Sequence, residues 1–317
     1  MRITLITPSF GEKLEYLQME PLTMAILAGM TPNDIDVKFY DDRIEEIPFD
    51  EETDLIAISA ETFTVKRAYQ IADRYREKGI KVILGGFHPT IMPDEALEHA
   101  DSIVTGEAEK LWKDIIIDLK EGRLKRKYAS VERSDLKNIK PNRKVFENKK
   151  YAPIGLVEFG RGCKYSCDFC SVFTFFGHKK ITRPINDVIR DIIDTKKKYI
   201  LIVDDNVIAN KEKAKELFKA IIPLKIKWIG QASIDIGWDD ELIKLASKSG
   251  CFGLLIGFES INDKSLAEMN KKFNKAVLGY STIVDKLNKI NIKICASFLF
   301  GYDSDDTDSF IHVMDFT

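Results

Sequence analysis

Twice along this chain, short apolar runs alternate with stretches of helical period, and few architectures accept that pattern. In the first half, strands are predicted at residues 2–8, 36–41, 54–60, 81–86 and 102–106, and helices at 21–30, 64–79, 93–99 and 109–121. Strands that are apolar throughout belong to a parallel sheet with helices on both faces. Residues 1–121 are therefore expected to form a doubly wound, Rossmann- or flavodoxin-like α/β domain. Ligands of such sheets sit beyond the carboxyl ends of the strands. Those ends are Ser59-Ala60-Glu61, Gly85-Gly86-Phe87-His88-Pro89-Thr90 and Thr105-Gly106-Glu107. Residues 122–153 lose the period, gain charge and carry Pro141 and Pro153; they read as an extended linker. From 154 to 317 the alternation resumes. Strands are expected at 154–160, 199–204, 226–233, 252–258 and 292–300, with helices at 184–197, 211–221, 239–249, 275–290 and from about 305, making five βα units.

A net charge of -2 over 317 residues gives no broad footprint for nucleic acid. Basic runs such as Lys196-Lys197-Lys198 and Arg123 to Lys127 read as solvated faces or a docking patch for an acidic partner. The start, Met1-Arg2-Ile3-Thr4, turns polar too soon for a signal peptide, and no apolar run is long enough to span a bilayer. A cytoplasmic protein is expected. The five cysteines, none before position 163, do not form the even set of a disulfide framework.

Three of them, Cys163, Cys167 and Cys170, follow a predicted strand in a Cys-x-x-x-Cys-x-x-Cys run behind Gly160-Arg161-Gly162. Thiolates are the usual ligands of iron–sulfur clusters, and a cubane held by three of them leaves one iron open. The glycines let the loop curl around a bulky inorganic core. A zinc site that recruits His178 is the rival, since structural zinc takes four closed ligands. Cys251 and Cys295, in apolar strand surroundings, read as core residues.

The cysteine spacing, with aromatic Phe169 just before Cys170, resembles the signature of the radical S-adenosylmethionine (SAM) superfamily. The resemblance implies that the three cysteines ligate a 4Fe–4S cluster, whose open iron chelates the amino and carboxylate groups of SAM. It implies that Phe169 packs near the adenine, and that one electron from the cluster cleaves SAM to a 5′-deoxyadenosyl radical. Other strand ends agree: Val203-Asp204-Asp205-Asn206, Gln231-Ala232-Ser233-Ile234-Asp235 and Gly257-Phe258-Glu259-Ser260. Asp204 falls where the family holds the SAM amino group, with a carboxylate pair in place of the commoner glycine-glycine-glutamate. Gln231, Ser233 and Glu259 are candidates for the ribose and methionine ends. Independently of the family, polar residues at the carboxyl ends of barrel strands gather at one mouth, although acidic residues there also cap helices. The family's barrel usually has six βα units, so this one is expected to stop before its sixth strand.

A doubly wound domain followed by a radical SAM barrel resembles the cobalamin-binding class of the superfamily. Ser59, Gly85, Gly86 and Gly106 fall among the strand ends where such domains place small residues around the nucleotide tail. The Asp-x-His-x-x-Gly loop that supplies a lower cobalt ligand is absent; the chain reads Tyr40-Asp41-Asp42-Arg43-Ile44-Glu45-Glu46. Cobalamin is thus expected without that histidine, and His88, on another strand end, reads as a satisfied loop residue. The tRNA methylthiotransferases are excluded, since they carry three further cysteines in the first domain.

The resemblance implies an enzyme using SAM, a 4Fe–4S cluster and cobalamin for methyl transfer to an unactivated carbon. The alternatives are radical rearrangement or cyclisation without methyl transfer, and a non-catalytic cluster- or corrinoid-binding fragment. A small-molecule or lipid-like substrate and a reductase, ferredoxin or flavodoxin as electron donor are the expected partners. Phe173, Phe175 and Phe176 either line an apolar substrate pocket or pack the loop. A plain nucleotide-binding module is the weakest reading, because no Gly-x-Gly-x-x-Gly follows the first strand.

Overall fold

The computed structural model describes residues 1–11, 18–130, 132–275 and 279–316. The chain divides into two compact units, Met1–Pro153 and Ile154–Thr317.

In the first unit six strands, β1 (Arg2–Thr7), β2 (Asp36–Asp41), β3 (Leu55–Ser59), β4 (Lys81–Gly85), β5 (Ser102–Thr105) and β6 (Lys127–Ala129), form one parallel sheet in the order β2-β1-β3-β4-β5-β6. The helices are α1 (Leu22–Met30), α2 (Val65–Glu77), α3 (Phe87–Ile91), α4 (Pro93–His99) and α5 (Trp112–Lys120). Alternate strand residues feed two cores. Ile3, Leu5, Ala57 and Ile83 face α1 and α5 with Trp112, while Ile6, Ile56, Ile58 and Leu84 face α2 and α4 with Tyr75. This is the doubly wound layer structure that the all-apolar strands imply. The order reverses between β1 and β3, which makes that gap the sheet's switch point. Residues 122–153 lie within this unit, and three of them supply β6. Tyr128 anchors that strand, its hydroxyl donating to Asp118 at 2.8 Å.

The second unit holds five parallel strands, β7 (Ile154–Val157), β10 (Tyr199–Ile202), β11 (Lys227–Ser233), β12 (Cys251–Glu259) and β13 (Lys293–Phe298), each paired with the next in chain order. A two-stranded antiparallel ribbon of β8 (Gly160–Arg161) and β9 (Ile181–Thr182) lies between β7 and β10 in sequence. Its helices are α6 (Ser171–Phe176), α7 (Ile185–Thr195), α8 (Lys211–Ile221), α9 (Asp240–Lys248), α10 (Asp263–Glu268), α11 (Tyr280–Lys289) and α12 (Thr307–Phe316). Asn210, Asp239 and Asn262 cap α8, α9 and α10 with their side chains. A sheet wound in sequence order with helices on one face is a partial barrel of the (β/α)6 type. Its outer face is packed, with Trp228, Ile202, Leu254 and Phe218 fully buried. The opposite face stays open: Tyr199, Val203 and Leu255 there are each more than a third exposed.

The helix expected from 275 begins at Tyr280; residues 276–278 of that stretch lie outside the described residues. Cys295 corrects its expectation. Cys251 is buried, and burial pushes its thiol up to about 12, but Cys295 is exposed. It lies on β13, an edge strand on which Ile294 and Phe298 pack against the core while Cys295 and Ala296 are exposed.

Candidate functional site

The cysteine loop is tied at its neck. β8 and β9 pair Gly160 with Thr182 and Arg161 with Ile181, so everything between, all three cysteines included, forms one closed loop. A Cβ at Gly160 would lie 2.3 Å from the Ile181 carbonyl oxygen, so the neck needs glycine for close approach. Asp204 braces the neck from the end of β10. One carboxylate oxygen accepts from the Phe159 and Gly160 N–H groups at 2.7 and 3.0 Å. The other accepts from Lys180 at 2.5 Å, and that ammonium also donates to the Gly160 carbonyl at 3.0 Å. Asp205 accepts from the Gly162 N–H at 2.7 Å. Asn206 donates to Cys163 Sγ at 3.5 Å and to Ser233 Oγ at 2.9 Å.

The other arm of the loop is held from the segment after α10. Asn270, in left-handed backbone conformation (φ 54°), donates to the Ser166 carbonyl at 2.9 Å and its hydroxyl at 3.1 Å. The Asp168 N–H reaches the Met269 carbonyl at 3.3 Å, and Tyr302 donates to the Asp168 carboxylate at 2.6 Å. Partners more than a hundred residues away thus hold the arm that carries the cysteines, residues 162–170, which contains neither helix nor strand.

Cys167 is buried, while Cys163 and Cys170 are half-buried. Burial pushes the Cys167 thiol up to about 11; Lys271 opposes this, and Cys170, Cys163 and Glu259 add to it. The three thiols are therefore within electrostatic reach of one another. Among the described residues, no three His, Cys, Asp or Glu side chains converge as ligands of one metal ion. The exposed His178 instead packs its ring on Phe173, with centroids 4.4 Å apart. A zinc ion draws all its ligands to one point, whereas an iron–sulfur cube offers one iron per thiolate. Three thiols on one braced loop are the donor chemistry of such a cluster.

Around this loop the structure brings together most of the remaining candidates. Phe169 is 41% exposed beside Cys170, and the Lys271 ammonium stands 6.0 Å from its ring centroid. The same ammonium pairs with Glu259 at 2.6 Å; Glu259 itself sits at φ 64°. Ser233 donates to Asp235, which Lys164 and Lys211 approach at 3.3 and 3.2 Å. Burial pushes the Asp235 carboxyl up, yet Ser233, these two lysines and Tyr165 together hold it below the usual range. Gln231 is exposed two residues before Ser233, on the open face of β11. Asp204 differs: it is 3% exposed and turned to the loop's backbone. Phe173, Phe175 and Phe176 stand half-buried on α6, with Phe175 and Phe176 edge to face at 4.9 Å. Sequence reasoning missed Lys180, Asn270, Lys271 and Tyr302, whose roles come from long-range contacts with no local pattern.

In the first unit, the switch point between β1 and β3 carries an exposed aromatic pair. Phe10 and Phe63, 72% and 63% exposed, meet edge to face at 5.8 Å, with Ile91 and Met92 also exposed beyond β4. Exposed aromatics at a switch point suit a large apolar ligand. Gly86 (φ 103°) allows the backbone in close: a Cβ there would meet Ala60 backbone atoms at 2.7 and 2.9 Å and Ser59 Oγ at 3.0 Å. Gly85 has more room, with Val104 Cβ at 3.6 Å. Gly106 (φ 81°) would clash with the Ser130 carbonyl at 2.8 Å. Thr90 ties the two turns, donating to the Gly86 carbonyl at 2.8 Å and accepting from the Gly106 N–H at 3.0 Å. His88 is buried on α3 between Thr62 and Glu95, at 3.3 Å from each. At the Asp-x-His-x-x-Gly place, Arg43 forks onto Asp41 at 2.7 and 2.8 Å.

Close-packed glycine turns at the ends of β4 and β5, beside an exposed aromatic switch point, and a three-thiol loop at the mouth of a partial barrel define a class. The B12 binding domain model matches residues 16–116 and the Radical SAM superfamily model matches residues 157–317. The chain belongs to the radical SAM superfamily, in the class that carries a cobalamin-binding domain; the cofactors of that class are a 4Fe–4S cluster, SAM and cobalamin. It is 32% identical over 309 residues to bacteriochlorophyllide d C-12(1)-methyltransferase of Chlorobaculum tepidum, which covers 93% of this chain and 68% of that protein. It is 30% identical over 304 residues to the C-8(2)-methyltransferase of the same organism, covering 88% and 66%. The chain thus spans about two thirds of the length of these relatives. A solved structure of TsrM from Kitasatospora setae, a radical SAM methyltransferase with cobalamin and a [4Fe-4S] cluster bound, superimposes with a TM-score of 0.80 at 14% identity, covering 99% of this chain and 69% of that one. The similarity places the chain among radical SAM enzymes of the methyltransferase kind.

The Thr90 tie gives a first test. Thr90→Val removes a donor and an acceptor between two turns, leaving the Gly106 N–H without its partner at a cost of roughly 1–3 kcal/mol. Affinity for hydroxocobalamin, read by visible absorbance titration, should fall about tenfold, and Thr90→Ser should restore it.

Proposed function

We propose that this protein is a cobalamin-dependent methyltransferase that places a methyl group on an unactivated carbon of a small, largely apolar molecule. The observation that supports the reading is the three-thiol loop, braced at its neck, in a chain that also matches a B12 binding domain. When bound, the cluster supplies one electron to cleave SAM, and cobalamin carries the methyl group.

The chain's own residues do the rest. Cys163, Cys167 and Cys170 hold the cluster, and burial of Cys167 shields it from water. Phe169 offers a face to the adenine, while Gln231, Ser233 and Glu259 line the mouth for the ribose and methionine groups. Asp204, Asp205 and Asn206 fix the loop so that the thiols stay in place. Ser59, Gly85, Gly86 and Gly106 border the cobalamin cradle. Among the described residues, no helix is long and apolar enough to cross a membrane; five free cysteines suit a reducing cytoplasm and a reductase, ferredoxin or flavodoxin as electron donor.

The test is anaerobic reconstitution with iron, sulfide and hydroxocobalamin, then reduction with dithionite in the presence of SAM and a tetrapyrrole. The relatives' names make bacteriochlorophyllide d the first substrate to try. Formation of 5′-deoxyadenosine together with S-adenosylhomocysteine and a methylated product is the expected result. The nucleoside without methylation would favour rearrangement or cyclisation, and a cluster that leaves SAM intact would favour the non-catalytic reading.

A further inference from the structure

A hydrogen-bond donor reaches one of the three thiols from outside the cysteine loop. Asn206, 3% exposed in the turn after β10, places its amide nitrogen 3.5 Å from Cys163 Sγ and 2.9 Å from Ser233 Oγ. The turn itself is pinned. The Val207 N–H donates to the Gln231 carbonyl at 2.9 Å, and the Ala209 N–H to the Asn206 carbonyl at 3.2 Å.

Which end of the amide faces the sulfur decides the chemistry, because its oxygen would repel a thiolate and its NH2 group donates to one. Two neighbours set the direction. The Ile208 and Ser233 N–H groups, which can only donate, lie 3.2 and 3.4 Å from the amide oxygen. A reversed amide would turn its NH2 group onto both of them. Behind Ser233 the order continues. Its hydroxyl donates to the buried Asp235, so its lone pairs are left for Asn206. Lys164 and Lys211 stand 3.3 and 3.2 Å from the other Asp235 oxygen, and Lys211 also donates to the Asp235 carbonyl at 2.8 Å. Each polar group along this run has one workable role, and the two amide hydrogens go to Ser233 and Cys163.

We propose that Asn206 is a positioning residue that acts through Cys163: it donates an N–H···S hydrogen bond to the ligand sulfur and so raises the reduction potential of the cluster. The inference rests on Cys163 being a cluster ligand. The oxidised cluster takes one electron from dithionite, no covalent bond changes, and part of the added negative charge spreads onto the sulfurs. A donor aimed at one sulfur therefore stabilises the reduced form more than the oxidised form, and hydrogen bonds to the sulfurs are among the factors that set cluster potentials.

The experiment is a redox titration of the reconstituted full chain without SAM, followed by electron paramagnetic resonance. Asn206→Leu fills a similar volume without a donor, whereas Asn206→Asp keeps the oxygen for Ile208 and Ser233 and adds a charge. Asn206→Leu should lower the equilibrium constant for reduction about tenfold, a shift of about 59 mV for one electron, and Asn206→Asp should lower it further. A direct readout needs no variant. With heavy nitrogen in the asparagine side-chain amides, pulsed resonance of the reduced parent should show nitrogen coupled to the cluster, and Asn206→Asp should lose that coupling. An unchanged midpoint in Asn206→Leu at full iron content overturns the proposal even where Asn206→Asp shifts, since added charge alone explains the latter. Where Asn206→Leu takes up no iron, the label decides, and a parent without the coupling overturns the proposal. A parent protein that takes up no iron overturns the cluster reading and this inference with it.

Discussion

Alanine at Cys163, Cys167 or Cys170 should reduce bound iron and sulfide after reconstitution to near background and abolish 5′-deoxyadenosine formation. On the proposed ligation each thiolate would hold one iron, so the loss of any one removes a cluster ligand. The apo-protein should fold in all three variants, because the neck of the loop is held by β8–β9 pairing and by Asp204, none of which involves sulfur. Two internal controls separate ligation from packing. Cys251→Ala should lower stability, since that thiol is buried against the barrel core, and leave iron content unchanged. Cys295→Ala, on an exposed strand position, should alter neither. Iron content by colorimetry and unfolding of the apo-protein by circular dichroism read the two effects apart. If the three loop variants keep their iron while Cys251→Ala loses it, the ligand assignment is wrong.

The sequence exposes what is local and hides what is not. The central first-unit strands are legible because a parallel strand covered on both faces is nearly all apolar, as in Leu55 to Ile58, whereas edge strand β2 carries charges at Asp36 and Lys38. The short elements escape for the same reason. β6 and β9 are only three and two residues long, and no period can be read from them. α6, Ser-Val-Phe-Thr-Phe-Phe, has apolar residues around its circumference and none fully buried, so it shows no amphipathic stripe. In the candidate site, the cysteine spacing is a local pattern and stands out. The Asp204-Asp205-Asn206 run also stands out, but its residues' targets do not. Gly160, Gly162 and Cys163 lie about forty residues upstream of that run, and only the parallel pairing of β7 with β10 brings them near. Asn270, Lys271 and Tyr302 reach the loop from still further along the chain, after structure outside any repeat has placed them.

Asp204 is where resemblance and geometry lead to different experiments. As a ligand of the SAM amino group, its replacement would weaken SAM binding and leave the empty protein intact. As a brace, its replacement should damage the protein before any cofactor is present. The geometry favours the brace, since its two oxygens together take two backbone N–H groups and an ammonium, and Lys180 is only 4% exposed at its side chain. Asp204→Ala leaves that ammonium buried without its counter-charge, which costs roughly 3–5 kcal/mol in comparable pairs. The amides of Phe159 and Gly160 also lose their acceptor. Hydrogen exchange of the peptide spanning 157–162 should therefore speed up sharply in the apo-protein, with exchange in β1 to β5 unchanged, and iron uptake should slow. Restoring the charge balance is the decisive control. Asp204→Ala combined with Lys180→Met removes the stranded ammonium and should recover much of the lost stability, because an apolar pair of similar volume often replaces a buried ion pair at little cost. The recovery would be incomplete, since no oxygen returns for the two amides. Normal exchange at 157–162 in the single variant, with SAM affinity alone reduced, would instead place Asp204 at the cosubstrate.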